Sequence, residues 1–505
     1  MRLIRYIPCL TAFFLFSAVQ ILSAVEEKST PVSQDMISPQ TKTCIGCHSN
    51  VTPGIVQDWL ASRHSRTLPG EALKKSALEK RISSDALPEE LGGHVVGCYE
   101  CHSRNVRDHK DSFDHMGHRL QVVVSPKDCS TCHPVEAGQF FMSKKSYAYR
   151  NLMENPVYLA LVNTTTGLSR MINAGLSTEK PSADTLRETC LGCHGTDVTS
   201  AGIKHISSAL GSIEVPDLKN WPNQGVGRLN PDGSRGACTA CHPRHSFAIE
   251  IARKPYTCSQ CHHEPDVPAW EVYEESKHGN IYASKGNDWN FSDVPWTIGQ
   301  DIKAPTCATC HNSLLVSATG TVLAERTHDF GSRLWVRLFG LIYSVPQPKS
   351  GDTTIIRNGD GLPLPATFTN EPASEFLIDK AEQEKRYAAM GKVCTGCHGT
   401  NWVNGHFAKM DVTIKETNEM TRSATGMMIN AWDAGIEDRT NPFDEPIEKM
   451  WTRQWLFYPN SIRYASAMTG APDYTTFKNG WWYLNENLQT MRDWMEFKKE
   501  ARDKD

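Results

Sequence analysis

Eight times in 505 residues the chain repeats Cys-x-x-Cys-His. The motifs carry Cys44, Cys47 and His48; Cys98, Cys101 and His102; Cys129, Cys132 and His133; and Cys190, Cys193 and His194. The second half adds Cys238, Cys241 and His242; Cys258, Cys261 and His262; Cys307, Cys310 and His311; and Cys394, Cys397 and His398. In this spacing the two thiols add across the vinyl groups of a haem, and the adjacent histidine ligates its iron from the same side. Zinc and dithiol sites also use Cys-x-x-Cys, but neither explains a histidine after every pair. Sixteen of the 17 cysteines are used in this way, so the sequence predicts eight covalently bound haems c.

That expectation changes the folding arithmetic. Only 39% of the residues are hydrophobic, and eight porphyrins would supply apolar mass that the chain does not encode. The N-terminus runs from Arg2 and Arg5 through an apolar stretch to Leu22-Ser23-Ala24, the order of a secretory signal peptide. Residues 1–24 are therefore expected to leave an exported, extracytoplasmic protein, taking the unpaired Cys9 with them. No later stretch is long and apolar enough for a membrane span. Without Arg2 and Arg5 the net charge falls from −4 to −6, and with no long basic run nucleic acid is excluded as a partner.

Short helices joined by loops are expected across the motif region, because no alternating strand pattern persists. Outside the motifs stand eleven histidines. His64, His245, His278, His328 and His406 are individual candidates for the distal side of an iron; among His94, His109, His115, His118 and His205, only some are expected to serve. Ser62-Arg63-His64 and Ser276-Lys277-His278 share a pattern that recurs at Ser143-Lys144-Lys145 without a histidine. There Lys145 or Tyr147 replaces a ligand, or the pair is an ordinary solvated Ser-Lys; both readings stay open. If eight of the eleven serve, every iron is six-coordinate and the protein is an electron wire; if one iron lacks its second ligand, it can bind a small substrate.

Residues 136–189, 195–237 and 312–393 read as haem-free spacers, with irregular loops over 215–236 and 346–372. The last 107 residues lack cysteine but hold seven of the 13 Trp and eight of the 15 Met. Asp444 is placed to cap a helix that carries Ile447, Trp451, Trp455 and Ile462 as far as Gly470. Trp481, Leu484, Leu488, Met491 and Met495 predict another, packed within the subunit or against a second one. The chain thus divides into a signal peptide (1–24), an octahaem-binding catalytic region (25–398) and a C-terminal helical region (399–505). The fold class is mainly α: a multihaem cytochrome c with a haem-packed N-terminal and central region and long C-terminal helices.

The eight motifs in this order, with CTACHPRHSF, CSQCH-x-x-PD, ESKHG and a cysteine-free helical C-terminus, resemble the octahaem hydroxylamine oxidoreductase family. The resemblance covers nearly all of the chain after residue 24. It implies that seven haems have two histidine ligands and that the one at Cys190, Cys193 and His194 is open and catalytic. The family's oxidative members hold an Asp-His pair over this iron; the corresponding residues are Asp266 and Val267, so the acid is kept and the base is lost. Those members also bond a tyrosine from the neighbouring subunit of a trimer to the catalytic haem, and the candidates are Tyr474 first and Tyr464 second. The resemblance further implies a homotrimer, a redox partner such as another cytochrome, and in some members a small cytochrome subunit.

Together these readings predict multi-electron conversion of a small inorganic nitrogen compound at His194, with Asp266 as proton relay. Loss of a base at Val267 leans towards reduction of nitrite to nitric oxide or hydroxylamine. Oxidation of hydroxylamine or hydrazine is the enzymatic alternative, and a non-catalytic electron-transfer subunit is the other.

Overall fold

The computed structural model describes residues 33–173, 175–208 and 211–503. The expected signal peptide lies outside the described residues. The motif region is a succession of short helices and loops, as the missing strand period suggests. Three of the motifs coincide with five-residue helices, at Cys98–His102, Cys190–His194 and Cys307–His311. Several flanking helices open on proline in their first turn, among them Pro39–Val51, Pro53–Ala61 and Pro134–Met142. A proline there costs no hydrogen bond and fixes φ for helix entry.

Strands are few but not absent. Thr199–Ser208 pairs antiparallel with Gly211–Lys219, and Leu168–Ile172 with Gly175–Glu179. The first of these hairpins corrects the expected loop over 215–236, which begins only after Lys219. Its first strand is exposed along nearly its whole length, so no apolar face announces it. Residues 346–372 are irregular, as read, yet Ile356, Leu364, Ala366 and Phe368 within them are buried. The loop is pinned from inside: the Asn358 side chain donates to the Ala366 carbonyl, and that of Asn155 to the Pro363 carbonyl.

Beyond His398 come four helices, Thr400–Asp433, Pro446–Leu456, Tyr458–Met468 and Trp481–Arg502, whose apolar core is shared with residues 341–345 and 364–377. Trp451, Trp455, Met428 and Met491 are fully buried at its centre. The expected single helix through Ile447 and Ile462 is two, broken at Phe457 (φ −100°, ψ −69°) where Pro459 enters the next first turn. Its N-cap is Glu445, not Asp444, in a reciprocal arrangement with Glu448. Buried Glu448 also accepts from the Trp432 indole at 2.8 Å. Of the predicted seam, Met491 and Met495 pack into the same core with Leu488 against them, and Leu484 is buried within the chain.

Candidate haem sites and active site

Between and beneath the short helices lies one continuous cavity of about 2860 Å³, lined by every motif cysteine and every motif histidine. Protein interiors are otherwise close-packed, so space of this size, apolar and edged with thiols and imidazoles, has the shape and chemistry that porphyrins require. The motif histidines are set for metal binding. The Nδ1 of His48 meets Thr52 Oγ1 at 2.9 Å, that of His102 the Gln121 carbonyl at 2.8 Å and that of His194 the Ala148 carbonyl at 3.0 Å. Held from behind in this way, each ring leaves Nε2 for iron. Burial keeps the ligand-competent neutral form: it pushes His242 down to about 3 and His311 to about 4.

Second histidines face the motif histidines across the cavity. Ring centroids are 6.3 Å apart for His48 and His115, 6.5 Å for His64 and His133, 6.5 Å for His242 and His328, and 6.1 Å for His278 and His398. Two imidazoles on opposite sides of one metal, each at about 2 Å, have centroids about 6.3 Å apart. His245 neighbours His102 and, through burial first and that neighbour second, is lowered to about 4.

The remaining histidines are placed otherwise. His109 is locked between Asp111 at 3.0 Å and Asp128 at 3.2 Å, with Asp232 at 3.8 Å. His118 sits edge-on to Tyr99, and His205 lies on the exposed hairpin opposite Glu214. His406 stacks on Trp402, whose other neighbour is His398, and its Nε2 meets the Ala467 carbonyl at 3.0 Å. Opposite His262 stands Lys145, Nζ to Nε2 2.7 Å. Tyr147 is turned away, its hydroxyl accepting from Arg235.

His194 has Asp266 for a neighbour. Burial raises the Asp266 carboxyl above the ordinary range, against the opposing pull of the backbone amides of Asp266 and Val267. Tyr464 lines the same cavity, and its hydroxyl is pushed up first by burial and then by Asp266. Tyr474 is elsewhere: it is 5% exposed, outside the cavity lining, and donates to Glu264 of its own chain at 2.8 Å. His263 is bound by Glu271 at 2.7 Å. Asn460, 194 positions away and without any local sequence signal, donates from its side chain to the Asp266 carbonyl at 3.0 Å. Buried Arg463 lies behind it, with Nη1 3.5 Å from Asn460 Oδ1.

The motif sulfurs also reveal an order. Cys44 adjoins Cys98, Cys129 adjoins Cys238, Cys193 adjoins Cys261 and Cys258 adjoins Cys307. Cys101 senses Cys132, Cys241 senses Cys258, and Cys310 senses Cys394. The motifs thus follow one another in space as first, second, third, fifth, sixth, seventh and eighth, with the fourth attached to the sixth. Buried cations stand along this path: desolvation lowers Arg81, Lys144 and Arg244, and among the described residues Arg244 Nη2 and Arg337 Nη1 have no hydrogen-bond partner. Unpaired buried cations are costly, and haem propionates are the anions that this cavity would bring to them.

Comparison with known proteins agrees. Residues 231–322 match the family described as seven times multi-haem cytochrome CxxCH. Over 307 residues the chain is 25% identical to a probable nitrite reductase-hydroxylamine oxidoreductase fusion protein of Kuenenia stuttgartiensis; the match covers 57% of this chain but 27% of that protein. Among solved structures, one titled hypothetical multiheme protein superimposes with a TM-score of 0.88 at 43% identity, covering 92% of this chain and 97% of the other. The reducing HAO-like protein complex of Kuenenia stuttgartiensis shares the fold, with a TM-score of 0.59 at 16% identity over 92% of this chain and 86% of its own. Motifs, cavity and relatives agree: the chain belongs to the multihaem c-type cytochromes, with the fold of the hydroxylamine-oxidoreductase-like proteins.

Proposed function

We propose that the chain carries eight haems and reduces a small nitrogen oxyanion, nitrite to nitric oxide or hydroxylamine, at the haem attached through Cys190, Cys193 and His194. The observation that carries this reading is the pairing pattern. His48, His102, His133, His242 and His398 each have a second histidine as neighbour; of the other three, His262 faces Lys145, His311 has Lys145 and Arg333 nearby, and only His194 has a carboxyl. The haem supplies an iron open to substrate and the path for electrons.

The chain's own residues supply the rest. Asp266, its pKa raised by burial, holds a proton at the carboxyl and passes it to an oxygen of the substrate as that oxygen leaves as water. Taking nitrite to nitric oxide consumes one electron and two protons; taking it to hydroxylamine consumes four electrons and five protons. Asn460 holds the Asp266 backbone in place. Val267 offers no base to collect protons, which suits a reaction that consumes them. The chain works outside the cytoplasm with a redox partner, and a homotrimer follows from the family resemblance.

Turnover of nitrite by the holoprotein with a reduced viologen tests the reading, with nitric oxide and hydroxylamine measured as products. Loss of activity in Asp266→Asn at unchanged haem content is the expected result. A protein with no high-spin ferric signal and no nitrite turnover would instead be an electron-transfer subunit. Oxidation of hydroxylamine or hydrazine is favoured by one observation only, Tyr464 in the cavity beside Asp266. A haem peptide of 190–194 still joined to a peptide containing Tyr464 would establish that direction.

A further inference from the structure

Three helices of the motif region end in the same bend. Pro53–Ala61, Pro134–Met142 and Ala269–Glu275 each stop at a serine in extended conformation: Ser62 (φ −73°, ψ 160°), Ser143 (φ −81°, ψ 154°) and Ser276 (φ −77°, ψ 162°). In each the serine amide donates to an aromatic residue three positions back, Trp59 at 2.9 Å, Phe140 at 3.0 Å and Tyr273 at 3.0 Å. The serine then closes the next turn. The Ser65 and Gly279 amides donate to the Ser62 and Ser276 hydroxyls, and the Ser65 and Ser146 hydroxyls donate to the Ser62 and Ser143 carbonyls.

The same backbone therefore aims the residue two positions after each serine into the cavity. In two copies that residue is a histidine facing a motif histidine: His64 opposite His133 and His278 opposite His398. In the third it is Lys145, and it faces His262. We propose that Lys145 Nζ is the distal ligand of the iron held by His262, so that this haem alone has an imidazole and an amine as its axial pair. The assignment rests on the reading that a haem is attached at Cys258 and Cys261.

The distances allow it. Two nitrogens on opposite sides of one metal stand about 4 Å apart, so Nζ and Nε2, now at 2.7 Å, must separate by a little over an ångström. The four-carbon stem of lysine accommodates that without moving the backbone. Nothing else competes for the position: Tyr147, two residues on, is engaged by Arg235, and Lys144 points away to the Gln347 side chain. The choice of ligand matters because Cys261 adjoins Cys193, so the lysine-ligated haem is the immediate electron neighbour of the open one.

Near-infrared magnetic circular dichroism of the oxidised holoprotein tests the assignment, since the charge-transfer band of an imidazole–amine pair is separated in energy from that of two imidazoles. Wild type is expected to show one haem equivalent in the amine band. In Lys145→His that intensity moves to the two-imidazole band; in Lys145→Ala one haem equivalent becomes high-spin by electron paramagnetic resonance. Lys145→His keeps a ligand and decides the matter if Lys145→Ala does not fold. Absence of the amine band in wild type, with Lys145→His spectroscopically unchanged, overturns the proposal. Mass spectrometry of the 258–262 peptide is run alongside: a haem-bearing peptide with no amine band refutes the ligand alone, and a haem-free peptide refutes the attachment and the ligand together.

Discussion

His278 and His398 face each other across the cavity with ring centroids 6.1 Å apart, although 120 residues separate them in sequence. Trp402 stacks on His398 at 4.1 Å, fixing that ring from the side. If both imidazoles hold one iron, His278→Ala turns a single low-spin haem high-spin and leaves haem content unchanged. Electron paramagnetic resonance with a pyridine haemochrome assay measures both. A variant that stays fully low-spin would remove His278 from the ligand set.

Asp266 has a pKa raised by burial, so its proton is present below that raised value and lost above it. Nitrite reduction should therefore fall as pH rises through this value. Asp266→Asn, unable to supply a proton, should lose about 100-fold in kcat, within the range general acids contribute, and should lose that limb of the pH profile. A profile that keeps it in the variant assigns the proton to another group.

Asn460 and Asp266 are joined through a backbone carbonyl, so Asn460 acts by positioning. Asn460→Ala should lower kcat about 10-fold, the cost of about 1.4 kcal/mol of lost alignment. The pH limb of Asp266 should remain in place. A shift of that limb along with the rate would mean that Asn460 alters the environment of the carboxyl itself.

His109 gives a stability prediction independent of turnover. Burial alone would lower its pKa, but the hydrogen bonds it donates to Asp111 and Asp128 overcome this and raise it from 6.5 to about 9. A group with a raised folded-state pKa stabilises fully below its unfolded value and loses that contribution as pH climbs through the folded one. The shift corresponds to about 3 kcal/mol, present below about pH 6.5 and gone above about pH 9. Denaturant midpoints at pH 6 and pH 10 should differ in wild type and converge in His109→Asn, which is less stable at pH 6.

The motif chemistry was legible because covalent attachment demands fixed spacing, and all sixteen motif cysteines indeed line one cavity. The second histidines were harder to read. His64 and His278 stood out by their Ser-basic-His setting, but His109 is as close in sequence to a motif as His115, and only the fold shows that three carboxylates claim it. His406 is one of the five individual candidates, and the structure puts Trp402 between it and His398. The exposed hairpins left no apolar alternation to detect. The contact between Asn460 and Asp266 has no local signal, because it joins residues that only tertiary packing brings together.

The sixth motif has three neighbours, the fourth, fifth and seventh, while none of the others has more than two. If every motif holds a haem and the fourth is the open one proposed above, the conductor has two limbs meeting at a node, with that haem on a short spur from it. Charge can then arrive from either limb, so a multi-electron reduction need not wait for one donor to bind, reload and bind again. The node is also the single place where cutting the circuit isolates the reacting haem and leaves both limbs intact. Lys145 stands at that node.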